Sequence, residues 1–159
     1  ETVELISQGE IDKALVLLAD LAEKKPKDSR VSFLLGQISA DRHHLSEAFH
    51  WLSQTLALDP LHRHAYFLLG LLWIEEGKID EALQSFQKTV YIDPNFALGH
   101  FYIGRIYKEQ GQIKKARQSL ALVKSLLGST HLSDPLAGAE GMTAQQLLTL
   151  VDRELNYAE

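Results

Sequence analysis

A step of 34 residues recurs along this chain and constrains its fold more than any other feature. Pro26, Pro60 and Pro94 are spaced by it, and so are Gly36, Gly70 and Gly104. Ala14, Ala48, Ala82 and Ala116 form a third series, and Phe33, Phe67 and Phe101 a fourth. Four series at one spacing are not an accident of composition. A period of this length describes a supersecondary unit that buries its apolar face only by stacking on its neighbours.

Each recurring residue has a physical reason to stand where it does. Gly36, Gly70 and Gly104 fall inside helical patterns, where glycine costs about 1 kcal/mol relative to alanine, so close approach of two helices is the expected compensation. The alanines mark the matching small site on the second helix of each pair. Gly9, Gly77 and Gly111 sit where a first helix should end, and glycine supplies the left-handed cap. His43 takes that place in the second unit, and histidine is among the residues enriched at positive φ. Proline disfavours helix in the residue before it, so Lys25-Pro26, Asp59-Pro60 and Asp93-Pro94 read as helix stops.

Apolar residues follow the helical period between these marks. Leu34, Leu35 and Ile38 run along one helix, and Leu45, Phe49, Leu52 and Leu56 along its partner. The next unit repeats the pattern with Phe67, Leu69 and Trp73, then Ile79, Leu83, Phe86 and Val90. The period and its grammar resemble the tetratricopeptide repeat, a helix–turn–helix unit. The expected fold is therefore all-α, a superhelical solenoid with a C-terminal capping helix. A truncated first unit covers 1–28, repeats cover 29–62, 63–96 and 97–130, a loop covers 131–142, and a last helix covers 143–159.

The tail has its own punctuation. Gly128 stands where a fourth proline would fall, and the loop begins at Ser129, Thr130 and His131. Thr143 followed by Gln146 reads as a capping box, and Leu147, Leu148, Val151 and Leu155 form one apolar face. That helix either caps the exposed end of the stack or docks in the groove as a built-in ligand.

Catalytic chemistry has little support. The sequence holds no cysteine, which excludes a disulfide framework, a thiolate zinc site and a cysteine nucleophile. It also holds no glycine-rich phosphate loop, no H-E-x-x-H and no G-x-S-x-G. The seven histidines show no recurring ligand spacing, and His62 and His64, two apart on a helix, would not share a face. Glu75-Glu76 and the Glu1/Glu4 pair read as solvated faces. No residue is assigned a catalytic role and no cofactor or metal is expected in this chain. The net charge of −5 argues against nucleic acid. The longest nearly apolar stretch, Ala65 to Ile74, is far short of the about 20 residues of a membrane helix. The start carries no signal peptide, and the lack of cysteine suits a cytoplasmic location. The chain begins without methionine and inside a helical pattern, as a fragment would.

Binding is the better reading. In tetratricopeptide proteins the first helices line a concave groove. The corresponding positions are Arg30, Phe33, Gln37 and Asp41, then His64, Phe67, Leu71, Ile74 and Glu75, then Leu98, Phe101, Arg105, Lys108 and Glu109. The three phenylalanines either form an aromatic row of the kind interfaces use, or are covered by neighbouring side chains or by the last helix. Arg105 and Lys108 offer a positive spot for an acidic segment, unless Arg105 pairs with Glu109 one turn on. Chaperone-binding members of the family hold a C-terminal carboxylate with Lys, Asn and Arg. Phe33, Gln37, Leu68, Leu98 and Tyr102 stand at those places here, so that clamp is missing.

A narrower resemblance covers most of residues 60–155. The segment Tyr91-Ile92-Asp93-Pro94-Asn95-Phe96-Ala97-Leu98-Gly99-His100-Phe101-Tyr102-Ile103-Gly104 resembles the repeat region after the catalytic part of some bacterial chemoreceptor glutamate methyltransferases (CheR-type). His64 to Gly70 and the closing stretch Gly138 to Leu148 are similar to that region too. The resemblance implies a parent using S-adenosylmethionine, whose catalytic and cofactor residues lie in another domain. Here the module would direct or gate methylation by contacting a chemoreceptor cytoplasmic region or the parent's own catalytic domain. The alternative is a scaffold or adaptor for assembly of an unrelated bacterial complex.

Overall fold

The computed structural model describes residues 2–128, 130–136, 138 and 141–156. The described residues form helices α1 (Thr2–Ser7), α2 (Ile11–Lys24), α3 (Ser29–Asp41), α4 (Leu45–Leu58), α5 (Arg63–Glu75), α6 (Ile79–Ile92), α7 (Ala97–Glu109), α8 (Ile113–Leu127) and α9 (Ala144–Asn156). Glu1, Ser129, Ala137, Ala139 and Glu140 of the expected segments, and residues 157–159 of the expected last helix, lie outside the described residues. The chain divides into two compact units, Glu1–Leu72 and Trp73–Glu159, and the division falls within α5.

The turns follow the glycine pattern. Gly9, Gly77 and Gly111 adopt φ of 77°, 72° and 72°, and His43 adopts 58° at the equivalent place. The left-handed region costs a residue with a Cβ roughly 1–2 kcal/mol. Replacing His43 by glycine removes that strain, at the cost of a looser unfolded chain. His43→Gly is expected to stabilise the protein by about 0.5–1 kcal/mol, read as a higher denaturant midpoint. A lower midpoint would show that the imidazole stabilises the turn by more than the strain costs.

The second helices stop before proline, as the sequence predicts. Cap residues Lys25, Asp59 and Asp93 leave helical geometry, with φ of −134°, −135° and −130°. The Asp59 and Asp93 carboxylates then accept from the backbone N–H of Leu61 and Asn95, each at 3.1 Å. Asp28 does the same for α3, accepting from the Arg30 N–H at 3.0 Å as its N-cap.

In the first unit, Leu18, Val31, Leu35 and Ile38 form one buried cluster joining α2 to α3, with Ile6, Leu15 and Trp51 packed on it. Ala48, Leu52, Ala65 and Leu72 form a second, with Phe33, Phe49 and Leu69 at its edge. In the second unit α7 packs against both α6 and α8, and α9 packs against α8. Two of the pairs have a close contact at their glycine. A Cβ on Gly36 would stand 3.1 Å from Leu52 side-chain atoms, and one on Gly104 only 2.9 Å from Leu120 Cγ. The backbones approach as the sequence predicts, with the Leu52 nitrogen and the Ala116 carbonyl each 3.4 Å from such a Cβ, and the nearest atoms belong to the large residue four positions after the alanine. Leu18, Leu52, Phe86 and Leu120 recur at the repeat step and are all fully buried.

A buried polar series escaped the sequence reading. Thr55 and Thr89 stand 34 apart and are both fully buried. Thr55 Oγ1 donates to the Trp51 carbonyl at 2.9 Å, and Thr89 Oγ1 to the Ser85 carbonyl at 3.0 Å. Each hydroxyl is satisfied within its own helix, so burial carries little penalty. The signal was present in the period, with Val123 as the apolar counterpart in α8.

The tail loop is tied to α9. The Leu136 N–H donates to the Met142 carbonyl at 2.9 Å, beside an isolated antiparallel bridge between Pro135 and Thr143. The Ala144 and Gln145 N–H groups donate to the Asp134 and Leu132 carbonyls, which satisfies donors left open at the helix start. Thr143 and Gln146 form the expected capping box. Gln146 Oε1 accepts from the Thr143 N–H at 2.8 Å, and Thr143 Oγ1 from the Gln146 N–H at 3.3 Å.

Candidate functional site

The expected groove positions have different fates in the two units. In the first unit, Phe33 and Gln37 lie half-buried on α3, while Arg30 and Asp41 are exposed. Arg30 is engaged: its Nε and Nη2 donate to the two Asp28 carboxylate oxygens at 3.0 and 2.8 Å. That fork holds the Asp28 carboxyl at about 2, below its ordinary value. On α5, His64 and Leu71 are half-buried, whereas Phe67 is only 3% exposed.

Phe33 is the centre of a small aromatic patch. Its ring centroid lies 4.5 Å from that of His62 and 6.4 Å from that of His64. The two histidine rings are themselves 6.3 Å apart. His62 and His64 would lie on different faces if both were helical, but only His64 is. His62 precedes α5, and its Nδ1 accepts from the Ala65 N–H at 3.1 Å, so it caps the helix and its ring turns back toward α3. No three His, Cys, Asp or Glu side chains among the described residues are grouped to hold a metal ion.

Burial holds the His62 imidazole below its ordinary value of 6.5, with the Asp59 carboxylate opposing and Arg63 reinforcing the shift. The folded chain therefore takes up that proton at lower pH than the unfolded chain does. The associated stability is complete above 6.5 and is lost as pH falls through the folded value. Lowering the pH from about 7.5 to about 5.5 is expected to reduce Tm, and His62→Gln to remove part of that slope. Equal slopes in the two proteins would contradict this origin.

In the second unit the expected aromatic row is not open. Phe101 is 5% exposed, with Tyr102 and Arg105 against its ring, and the neighbouring groove position Leu98 is 4% exposed. Of the three phenylalanines, Phe67 and Phe101 are buried and Phe33 stays partly accessible. Ile74 is half-buried and Glu75 exposed at the end of α5.

The positive spot is real, and it is occupied from within the chain. Lys108 Nζ donates to Glu154 Oε2 of α9 at 2.8 Å and to the Glu154 carbonyl at 3.1 Å. Arg105 Nε stands 3.7 Å from Glu154 Oε1, and its Nη2 3.8 Å from Glu109. The Arg105 guanidinium also lies 6.0 Å over the Phe101 ring. On the other flank, Lys124 of α8 pairs with Asp152 at 2.8 Å. The sequence reading missed Glu154. Its signal was an acidic residue on the stripe of Leu147 and Val151, where the helical period calls for an apolar one.

The comparisons with known proteins agree with this geometry. A family model described as a TPR repeat matches residues 70–111, and a tetratricopeptide-repeat model matches residues 100–126. A search of curated proteins finds no match. Among solved structures, a crystal structure of MamA is similar with a TM-score of 0.72 and 22% identity, covering 79% of this chain and 73% of that one. A second structure of MamA gives 0.71 and 18%, covering 99% and 81%. The Yersinia enterocolitica type III secretion chaperone SycD, in complex with a peptide of the translocator YopD, gives 0.68 and 16%, covering 80% and 88%. Residues 70–126 match tetratricopeptide-repeat models, and the chain has the all-α fold of proteins built from such repeats. Among the described residues no helix is long and apolar enough to cross a membrane.

Proposed function

We propose that this chain is a non-catalytic protein-interaction module, a scaffold or adaptor that holds a peptide or protein segment for a larger assembly. The observation that carries the reading is the half-exposed patch of Phe33 on α3, His64 on α5 and His62 just before α5. Aromatic side chains that keep part of their surface on a rigid helical frame are the anchors interfaces use. The likeness to SycD, solved with a bound peptide, supports a peptide as the class of partner.

The narrower reading places the module in a chemoreceptor methyltransferase, next to a domain that uses S-adenosylmethionine. It rests on the sequence segments 64–70, 91–104 and 138–148 alone. The matched repeats and folds support the scaffold reading better.

One experiment addresses both. The chain is used to capture partners from a bacterial lysate beside a Phe33→Ala/His64→Ala variant. A partner held by the wild type and lost in the variant supports the interaction reading. If that partner is a chemoreceptor cytoplasmic region, the narrower reading gains; an unrelated assembly favours the scaffold. Equal recovery by both chains would overturn the assignment of this patch.

A further inference from the structure

We infer that the face of α7 and α8 beneath α9 is a recognition surface for an acidic amphipathic helix of a partner protein, filled in this structure by the chain's own α9. The inference deepens the interaction reading and rests on it.

Three features make this face more than an end cap. First, α9 inserts a narrow apolar stripe, with Ala144, Leu147 and Val151 all fully buried. Second, the stripe is flanked by cations on both sides: Lys108 and Arg105 of α7 receive Glu154, and Lys124 of α8 receives Asp152. A cap needs apolar cover and a polar outer face. It does not need two carboxylates matched to cations on two different helices, which fix the register and orientation of whatever lies there. Third, Lys108 Nζ also donates to the Glu154 backbone carbonyl at 3.1 Å. The carbonyls of a last turn lack partners within the helix and carry its negative dipole end. That contact therefore reads a helix terminus in any sequence.

The occupant can be exchanged because of how it is attached. Among the described residues the start of α9 is hydrogen-bonded to its own loop at Leu132 and Asp134, and its polar contacts with α7 and α8 are made by the side chains of Arg105, Lys108 and Lys124. A short tether raises the local concentration of α9 to the order of millimolar. A partner helix with apolar residues at i, i+3 and i+7 and carboxylates at i+8 and i+10 presents the same chemistry, and weakening α9 shifts the population toward it.

The test uses the full chain and a fluorescent peptide of residues 142–156 as the probe, followed by anisotropy at low salt. The wild-type peptide is expected to bind the Glu154→Gln chain about 3- to 10-fold more tightly than it binds the wild-type chain, because the internal competitor is weakened. On the Glu154→Gln chain, a Glu154→Gln peptide is expected to bind more weakly than the wild-type peptide by a similar factor. A Lys108→Glu chain, checked for helix content, is expected to prefer a Glu154→Lys peptide over the wild-type one. The inference is overturned if the wild-type peptide fails to bind the Glu154→Gln chain, or if the two peptides bind it alike. Capture of a partner through Phe33 with no peptide binding leaves the interaction reading standing and removes this one.

Discussion

Phe86→Ala is expected to lower the unfolding free energy by about 3–5 kcal/mol, the range for truncating a fully enclosed phenylalanine. Phe86 has no exposed surface and stacks on Tyr102, with ring centroids 4.9 Å apart and planes 11° apart. It occupies in α6 the place that Leu18, Leu52 and Leu120 hold in other second helices. Truncation leaves a cavity beside Tyr102 and removes the stacked pair, worth a further 0.5–1.5 kcal/mol or so. Phe86→Leu restores the residue of the other units and should recover most of the loss. Urea unfolding of the three proteins checks this. A loss below about 1 kcal/mol for the alanine variant would mean that the neighbours collapse into the space.

The second large effect comes from adding volume. Gly104→Val is expected to destabilise by about 3 kcal/mol, at the upper end for overpacking. A Cβ there would lie 2.9 Å from Leu120 Cγ, 3.0 Å from its Cδ2 and 3.4 Å from the Ala116 carbonyl. Leu120 is fully buried, so any shift that makes room presses on its other neighbours. The substitution should therefore couple to Leu120→Ala. The double variant is expected to lose at least 1 kcal/mol less than the sum of the two single losses, because one change makes the room that the other fills. Additive losses in the cycle would show that Gly104 and Leu120 do not meet.

Much of this fold was legible in residues close together along the chain. The left-handed turn at His43 followed from its place in the glycine series, and the structure gives it φ of 58°. The Thr143/Gln146 box and the stops before proline followed from rules that act within about four residues. Close approach at Gly36 and Gly104 was legible too, with the Ala116 carbonyl at the second of them, while the large side chains of Leu52 and Leu120 one turn further on were not singled out as the nearest contacts.

The surface was less legible, for a physical reason. Periodicity shows which residues share a helix face. It does not show how many neighbours press on that face. Phe33 and Phe101 occupy the same repeat position, yet one keeps part of its surface beside His62 and the other is buried with Tyr102 and Arg105 against its ring. The Arg105 and Lys108 spot reads as free for a partner until a carboxylate 46 residues away is placed on it. The sequence by itself determined the helix pairs, their turns and their period, because backbone geometry and local capping decide those. Only the tertiary structure decided which repeat positions are covered and which charges are already matched. Both depend on contacts between helices distant in the chain, and no local spacing encodes those.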